Sequence, residues 1–282
     1  MLKRALMMSA GAAAGTGVYT WLVEPHWVEF VRRELPLRGL PRDLEGRTLV
    51  QVSDIHVGPR VDDAYLTRTF ESIQACRPDV VVFTGDFVSY GDPDSLTHVE
   101  RMAEYLPHGQ LATLAVLGNH DYGHRWSELR VADELIGILA RSGVTVLQNE
   151  GRTIAGLEIL GVDDMWSPRF DLGRALASHD RDAAASLVLC HNPDAADKAE
   201  WEAVDARDRY EGWILSGHTH GGQCRPPFLP PPLLPVRNRR YTAGEFALAG
   251  GRRLYINRGL GHLLPVRFNV RPEVTLFTLT SA

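Results

Sequence analysis

Side chains that bind metal ions well follow apolar runs at five places in this sequence. The first run, residues 49–52, leads into Asp54 and His56. Such a run predicts a buried strand, and residues two apart on a strand lie on the same side. Asp54 and His56 are therefore expected to point into one cavity, where their oxygen and nitrogen donors suit Zn, Mn, Fe or Co. A single Asp-x-His of this kind is more often a turn aspartate and an exposed histidine.

Four further strand ends carry residues of the same kind. Asp86 follows residues 80–83, Asn119 and His120 follow 111–117, His191 follows 187–190, and His218 and His220 follow 213–215. In open α/β sheets, binding sites collect at the carboxyl ends of the strands. Five such ends are unlikely to arise from chance polar turns, so the pattern predicts one shared site.

The combined set has too many ligands for one tetrahedral ion and suits two ions that share a carboxylate. Two metals about 3.5–4 Å apart hold the attacking and leaving oxygens of an in-line displacement and lower the pKa of a bridging water. Phosphate esters need this combination because charge spreads over the equatorial oxygens in the transition state. A single-zinc amidase needs fewer ligands, and no His-Glu-x-x-His is present.

Composition sets the class of protein. The chain has 282 residues, of which 44% are apolar and 23% are charged, and its net charge of −5 gives no basic field for nucleic acid. Cys76, Cys190 and Cys224 are too few and too scattered for a disulfide framework or a Cys-x-x-Cys zinc site. Strand and helix patterns alternate before a late run of strands, which predicts an α/β layered sandwich.

The N-terminus differs from the rest. Lys3 and Arg4 precede residues 5–23, a run without any charged side chain. This length lies between a signal-peptide core and a full membrane span. Residues 1–23 are predicted to be a signal peptide or an uncleaved signal anchor, the alternative being a buried core helix. We expect the protein to be membrane-associated or exported to the bacterial periplasm or cell envelope. Prolines and glycines in 24–46 indicate a linker or a hairpin leading into a main domain over 47–282.

The proline-rich segment between Arg225 and Arg240 offers a second link to membranes. Four of its apolar residues are candidates for lipid contact: Phe228, Leu229, Leu233 and Leu234. Apolar side chains among arginines suit an interfacial anchor or an acyl-chain contact. The alternative is a surface loop that packs on the domain.

Taken in order, the motifs Asp54-x-His56, Gly85-Asp86, Gly118-Asn119-His120-Asp121, His191 and Gly217-His218-Thr219-His220 resemble the five blocks of the calcineurin-like metallophosphoesterases. The similarity covers roughly residues 47–282. Residues 53–58, 217–223 and 257–261 are most similar to the bacterial membrane-associated branch, with its phosphodiesterases of the YkuE and YaeI type and its UDP-2,3-diacylglucosamine hydrolases. The resemblance implies two mixed β-sheets flanked by helices, in the order αββα.

The resemblance also implies roles for single residues. Two groups of three would each hold one metal ion and one carboxylate would bridge them: Asp54, His56 and His220; Asn119, His191 and His218; and Asp86. His120 would face the substrate, stabilise the phosphoryl oxygens and protonate the leaving group, and Asp121 would orient its imidazole. The two divalent ions would be Mn, Zn, Fe or Mg, because a mixed nitrogen and oxygen set is permissive.

The expected function is phosphoester hydrolysis by a metal-bound hydroxide, on a membrane-associated or lipid-linked phosphodiester or pyrophosphate such as UDP-2,3-diacylglucosamine. One alternative is a soluble phosphomonoesterase or nucleotide phosphodiesterase, and another is a non-catalytic binding scaffold with the same fold. Arg60 and Arg258 are candidates for substrate binding, and a solvated loop arginine is an equal interpretation of each. The sequence leaves the oligomeric state open.

Overall fold

The structure is a computed structural model that describes residue 11 and residues 14–180, 183–202 and 210–282. Part of the predicted leader, residues 1–10, 12 and 13, lies outside the described residues, and its role stays a prediction. Among the helices that are described, none combines the length and the apolar character that crossing a membrane requires.

The described ranges contain strands that we number β1 to β12: Glu29–Leu37, Thr48–Val52, Val80–Thr84, Ala112–Val116, Thr145–Val146, Glu150–Ile154, Leu157–Val162, Ala185–Cys190, Trp213–Ser216, Gly244–Ala247, Arg253–Ile256 and Glu273–Ser281. We number four α-helices α1 to α4: Asp63–Ala75, Ser95–Ala103, Leu129–Arg141 and Leu172–Ala177. Residues 14–18 are also α-helical. Short helical turns include Tyr19–Val23, Asn119–Tyr122, His124–Trp126, Pro193–Asp197 and His220–Gly222.

Within the described residues the strands form two mixed six-stranded sheets. The first has the order β1-β12-β2-β3-β4-β5 and the second β10-β11-β9-β8-β7-β6. Side chains of α1, α2 and α3 pack in one core with outer-face residues of the first sheet, and α4 packs on the second sheet. The predicted α/β sandwich of two mixed sheets flanked by helices is confirmed.

Alternate residues of the central strands enter different cores. Leu49 and Val82 lie in the core between the two sheets, whereas Val50 and Phe83 lie in the core beneath the helices. This alternation follows from the two-residue period of a strand. Because both faces are covered, these strands have the nearly continuous apolar runs that made them visible in the sequence.

Strand β1 lies within the segment that the sequence analysis assigned to a linker or hairpin. It pairs in parallel with β12 over its whole length, from Glu29 opposite Glu273 to Leu37 opposite Ser281. Residues in its middle are exposed, and Pro36 near its end is tolerated because an edge strand does not need every amide for pairing. The segment is thus part of the first sheet, although the predicted limits of the main domain stay a prediction.

The carboxyl ends of the parallel strands in both sheets meet at one end of the sandwich. Gln51 on β2 spans the two sheets there, because its Nε2 donates to Thr84 Oγ1 at 3.0 Å and to the Ser216 carbonyl at 2.9 Å. The loops that follow β2, β3, β4, β8 and β9 therefore start close together.

Candidate metal centre

The loops at this end bring together residues that were predicted as metal ligands. Three groups each have one potential ligand atom per residue within 4.8 Å of the others: Asp54, His56 and His220; Asp86, His191 and His218; and His56, Asp86 and His120. All of these side chains are buried. We call this cluster, together with Asn119, the metal centre.

Asp86 lies between the two predicted ligand groups. Its Oδ2 is 3.2 Å from His191 Nε2 on one side and 3.6 Å from His56 Nε2 on the other. His220 Nε2 is 3.1 Å from His56 Nε2 and 3.3 Å from Asp54 Oδ1. A carboxylate in this place suits the bridging role that the sequence analysis gave it.

Backbone carbonyls fix the ring orientation of three histidines. His56 Nδ1 donates to Val88 at 3.1 Å, His191 Nδ1 to Thr84 at 2.7 Å, and His218 Nε2 to Pro235 at 2.9 Å. Because a carbonyl can only accept a hydrogen bond, the ring nitrogen that contacts it must carry the proton. The other ring nitrogen is then unprotonated and faces the cluster. Such an arrangement is typical of metal-binding imidazoles.

Asn119 provides an independent test of whether a cation fits. Its Oδ1 is buried and has no hydrogen-bond partner among the described residues. An unsatisfied buried acceptor costs about 1–3 kcal/mol, so native structures rarely leave one without purpose. A divalent cation would satisfy this oxygen, as the predicted ligand role requires.

The electrostatics of the centre also call for positive charge. Although burial opposes ionisation, the charge of His191 holds the pKa of Asp86 well below its usual range. Burial would lower the pKa of His191, but its contact with Asp86 and the charge of Asp54 raise it well above the usual value. In the protein alone a proton on His191 thus balances the carboxylates. A metal ion replaces that proton when ligands bind in their deprotonated forms.

The backbone of the metal centre is strained. Asp54, His56, Asp86, His218 and His220 have φ between 48° and 71°, in the left-handed region. Residues with a Cβ rarely adopt this region, and each such residue costs on the order of 1–3 kcal/mol unless its surroundings enforce it. These turns re-aim the side chains into the centre directly after their strands end.

Two glycines permit the close approach of neighbouring loops. A Cβ on Gly118 would collide with the Asp86 carboxylate, and one on Gly217 would collide with Ser53 Oγ and Asp54 Oδ2. Both positions therefore require glycine for steric reasons. The Gly-Asn-His-Asp and Gly-His-Thr-His motifs owe their first residue to this packing.

The structure gives Asp121 contacts that differ from its predicted role. Its two oxygens accept backbone N–H groups of Gly118, Asp86, Phe87 and Val88 at 2.8–3.1 Å, so it ties the Asp86 loop to its own loop. Burial and the nearby Asp86 raise its pKa to about 7, even though the backbone hydrogen bonds favour the charged form. The partner of the His120 ring is a different group.

His120 is oriented by the backbone amide of Tyr90, which donates to His120 Nδ1 at 3.2 Å. Its proton therefore resides on Nε2, which lies 4.0 Å from Asp86 Oδ2 and faces the centre. Burial lowers the pKa of His120 to about 3. At neutral pH the side chain is thus an uncharged hydrogen-bond donor to a group at the centre.

The structure engages the two predicted substrate arginines elsewhere. The Arg258 guanidinium pairs with Glu273 and, at 2.9 Å, with Glu29. Arg60 is exposed, and its backbone carbonyl accepts from His262 Nε2 at 2.8 Å. Their roles in substrate binding stay predictions.

Sequence reasoning did not identify Arg267 or Asp164. The buried Arg267 has its Nη2 3.5 Å from His220 Nδ1 and 2.7 Å from the Gly261 carbonyl. Asp164 is buried, and burial raises its pKa to about 7. A strand-end pattern was available for Asp164, which follows β7, whereas Arg267 lies in a loop with no comparable signal.

Aromatic side chains pack against two histidines at the edge of the metal centre. The Trp126 ring centroid is 4.8 Å from that of His120, and the Trp166 centroid is 4.7 Å from that of His218. Tyr90 contacts both His120 and Trp126, at 4.9 and 4.7 Å. We call Tyr90, Trp126 and Trp166 the aromatic rim.

The proline-rich loop exposes most of its predicted lipid-contact residues. Phe228 is fully exposed, and Leu229 and Leu233 are 62% and 74% exposed. Leu234 differs from the prediction, because it is 8% exposed and packs in the core on the outer face of the second sheet. The apolar tip of the loop is therefore formed by Phe228, Leu229 and Leu233.

Comparisons with known proteins agree with this geometry. The model of the calcineurin-like phosphoesterase family matches residues 47–222. The chain is 32% identical to the uncharacterized metallophosphoesterase YkuE of Bacillus subtilis, over 97% of this chain and 94% of that protein. It is 31% identical to phosphodiesterase YaeI of Escherichia coli, over 99% and 100%. It is 27% identical to the UDP-2,3-diacylglucosamine pyrophosphatase LpxG of Chlamydia trachomatis, over 92% of each chain.

The family match covers every strand end that supplies a residue to the metal centre. Similarity to YkuE and YaeI extends over nearly the whole of both chains. The resemblance predicted from the motifs is thereby confirmed, and the His and Asp clusters suit a dinuclear site. The chain belongs to the calcineurin-like phosphoesterases and is a metal-dependent phosphoester hydrolase.

Proposed function

We propose that the protein hydrolyses a phosphodiester or pyrophosphate that is membrane-associated or lipid-linked, with two divalent metal ions at the metal centre. The observation that carries the hydrolytic part is the position of Asp86 between two groups of ligand atoms. One ligand group alone would serve a single ion, whereas the shared carboxylate favours a pair.

The ligand assignment keeps the two groups that the resemblance implies. Asp54, His56 and His220 would hold one ion, and Asn119, His191 and His218 would hold the other. When bound, the two ions would supply Lewis acidity toward the phosphate and lower the pKa of the attacking water. Mn, Zn, Fe and Mg all remain candidates, because the donors mix nitrogen and oxygen.

His120 would act from the side of the substrate. Its Nε2–H faces the centre while Nδ1 is held by Tyr90, so it would donate a hydrogen bond to a phosphoryl oxygen. Because its pKa is low, it would enter the reaction as neutral imidazole. Charge builds on the phosphoryl oxygens in the transition state, where a fixed donor is most effective.

Two apolar surfaces support an association with membranes. The loop tip of Phe228, Leu229 and Leu233 is exposed, and Trp21 and Leu22 near the start of the described chain are 52% and 62% exposed. Exposed aromatic and leucine side chains of this kind suit the interfacial region of a bilayer.

These two surfaces are joined by backbone contacts, and the region leads to the metal centre. The Arg267 amide donates to the Thr20 carbonyl at 3.0 Å. The neighbouring Phe268 amide donates to the Gln223 carbonyl at 2.9 Å, and the Arg225 amide donates to the Phe268 carbonyl at 2.8 Å. From the loop tip the chain continues to Pro235, whose carbonyl accepts from His218. An enzyme held on a membrane by this region would have its centre close to lipid-linked substrates, either through an N-terminal signal anchor or on the exported side.

A substrate panel tests the proposal. Protein reconstituted with manganese is given bis-p-nitrophenyl phosphate, p-nitrophenyl phosphate and UDP-2,3-diacylglucosamine, each with and without detergent. We expect cleavage of the diester and the lipid-linked pyrophosphate in preference to the monoester. Preference for the monoester would favour a soluble phosphomonoesterase, and no turnover despite stoichiometric metal would favour a non-catalytic scaffold.

A further inference from the structure

Arg267 is a buried arginine that the proposed hydrolysis does not use. Its side chain is fully buried. Its Nη2 donates to three backbone carbonyls, those of Arg258 at 3.0 Å, Gly259 at 3.2 Å and Gly261 at 2.7 Å. Taking a cation out of water costs several kcal/mol, so a buried arginine requires strong compensation. Much of it comes here from one short stretch, residues 258–261, which we call the glycine loop.

The glycine loop packs directly against Asp54. The Gly261 amide donates to the Asp54 carbonyl at 2.7 Å. A Cβ on Gly259 would lie 2.6 Å from the Asp54 Cβ, so the loop and this side chain are in close contact. Asp54 has a φ of +50°, and such a conformation persists only where its surroundings enforce it. The glycine loop supplies part of that enforcement, and Arg267 holds the glycine loop together.

The same guanidinium approaches a second predicted ligand. Arg267 Nη2 is 3.5 Å from His220 Nδ1, whereas Nε2 of the same ring faces Asp54 Oδ1 at 3.3 Å. His220 also has a left-handed backbone, with a φ of +48°. Asp54 and His220 belong, with His56, to the group that is predicted to hold one ion, and we call this group the first ion site. Arg267 thus supports two of its three members.

Glu24, in the segment before β1, completes this arrangement. Its side chain is fully buried, and its Oε1 accepts from the Val270 amide at 2.5 Å. The Val270 carbonyl accepts in turn from Arg267 Nη1 at 3.3 Å. Burial lowers the pKa of Arg267 to about 10, and the charges of Asp54 and Glu24 act against this shift. Glu24 therefore fixes a residue that binds Arg267 and adds negative charge beside a buried cation.

We propose that Arg267 and Glu24 are positioning residues for the first ion site, so that the segment before β1 is part of the metal centre. This inference rests on the proposed function, because it requires two ions. The second ion site, of Asn119, His191 and His218, has its two imidazole rings held by other backbone carbonyls. Loss of Arg267 should therefore weaken one ion more than the other.

The test titrates the metal-free full chain with manganese alone. Arg267→Met removes the charge and the donors but keeps an unbranched side chain, and Arg267→Lys keeps the charge. Glu24→Gln removes a charge and keeps an acceptor for the Val270 amide. Calorimetry gives the Kd of each ion, and electron paramagnetic resonance distinguishes isolated manganese from a coupled pair. Thermal melts show which variants fold.

Two matched controls change buried residues of the same types elsewhere. Arg252→Met alters an arginine that is 4% exposed and donates to the Ala196 carbonyl at 2.9 Å. Glu158→Gln alters a glutamate that is 1% exposed and accepts from the Asp180 amide at 2.7 Å. Both should bind two ions with the wild-type Kd values, because neither side chain touches the glycine loop.

We expect the affinity for one ion to fall about 10–100-fold in Arg267→Met, as the loss of a group that holds a ligand does. Its spectrum should change from a coupled pair to isolated manganese at concentrations that fill both sites of the wild type. Arg267→Lys should fall between this variant and the wild type. Glu24→Gln, which removes one buried charge, should weaken the same ion about fivefold.

Equal weakening of both ions in Arg267→Met, or wild-type binding in the folded variants, would overturn the positioning role. Should Arg267→Met not fold, Glu24→Gln decides, and a coupled spectrum with the wild-type Kd values would overturn the proposal. A wild type that binds a single manganese ion would instead refute the two-ion part of the proposed function.

Discussion

The metal centre and the aromatic rim adjoin one another, yet they are built in different ways. Metal-centre side chains are buried, follow strand ends directly and are held by backbone groups, as His191 is by the Thr84 carbonyl. Rim residues come from longer loops and are partly exposed, and they meet mainly through ring contacts such as that of Trp126 with Trp166. The metal centre is thus placed on the ends of the sheet strands, whereas the rim lies on loops, which tolerate change better than the elements that they connect.

Within the metal centre, the largest effect is expected from a substitution of Asp86. Asp86→Asn removes the carboxylate that lies between both ligand groups, and we expect loss of metal binding and a fall in kcat/KM beyond about 10³-fold, since metal ions contribute several kcal/mol. Plasma mass spectrometry of the metal content and turnover of bis-p-nitrophenyl phosphate measure both. Asp79→Asn is the control, because it changes a buried carboxylate that pairs with Arg47 where β2 and β3 begin, at the opposite end of these strands from the metal centre. Two bound ions in Asp86→Asn would contradict the bridging role.

His120 is where the metal centre faces the rim. His120→Ala should leave metal content unchanged and lower kcat about 10²–10³-fold, as removal of one fixed donor to a developing oxyanion does. His108→Ala, which changes a histidine packed beside Thr113, provides the comparison. If His120→Ala turned over substrate at the wild-type rate, its placement at the substrate would be refuted.

Asp164 contacts both regions. Its Oδ1 accepts a hydrogen bond from the Trp166 amide at 2.8 Å, and its buried carboxyl group interacts electrostatically with Asp86 and His191. Its folded pKa of about 7 lies above the ordinary value near 3.9, so folding retains a proton that the unfolded chain releases. The stabilisation of the folded state that this proton provides is complete below about pH 4 and is lost as the pH rises through 7.

Asp164→Asn removes this pH dependence. In metal-free protein, the free energy of unfolding of the variant relative to the wild type should shift in the variant's favour by about 2 kcal/mol between pH 5 and pH 7. Urea unfolding at the two pH values measures the change. A gap that stays constant would show that Asp164 does not keep its proton in the folded state.

The smallest expected effect is at the loop tip, which lies outside both regions. Simultaneous Phe228→Ser, Leu229→Ser and Leu233→Ser should reduce binding to phosphatidylglycerol and phosphatidylethanolamine vesicles at least about tenfold, because three exposed apolar side chains are lost. Hydrolysis of bis-p-nitrophenyl phosphate should not change. A double variant with Tyr105→Ser and Leu111→Ser, which are exposed elsewhere, should sediment with vesicles as the wild type does. Unaltered vesicle binding by the triple variant would contradict the membrane role of the tip.

Strands that are covered on both faces could be predicted from the sequence, whereas the edge strands β1, β6 and β10 could not. The runs around Val81, Leu114 and Leu189 are apolar because each strand packs against a core on both faces of its sheet. By contrast β6 consists mostly of exposed residues and contains Gly151, so it has no apolar run that would indicate a strand. Edge strands β1 and β10 are covered only in part, since Leu35 and Leu37 are the only buried residues of β1 and β10 has none.

The candidate ligands could be predicted because residue type and strand-end position together are informative. The contacts of Asp121 could not, because accepting backbone amides of a distant loop leaves no trace in spacing. Leu234 looked like its neighbours in sequence, and only the packing of the loop on the second sheet buries it. The rim escaped prediction because isolated aromatic residues carry no period or motif.

The left-handed backbone at five residues of the metal centre limits how this enzyme can evolve or be engineered. Glycine would relieve each of those conformations and would delete the donor atom in the same step. Stabilising substitutions must therefore be sought elsewhere, such as on the surfaces of α2 and α3. A substitution at one of these five positions that raised the thermal stability would lower the catalytic activity.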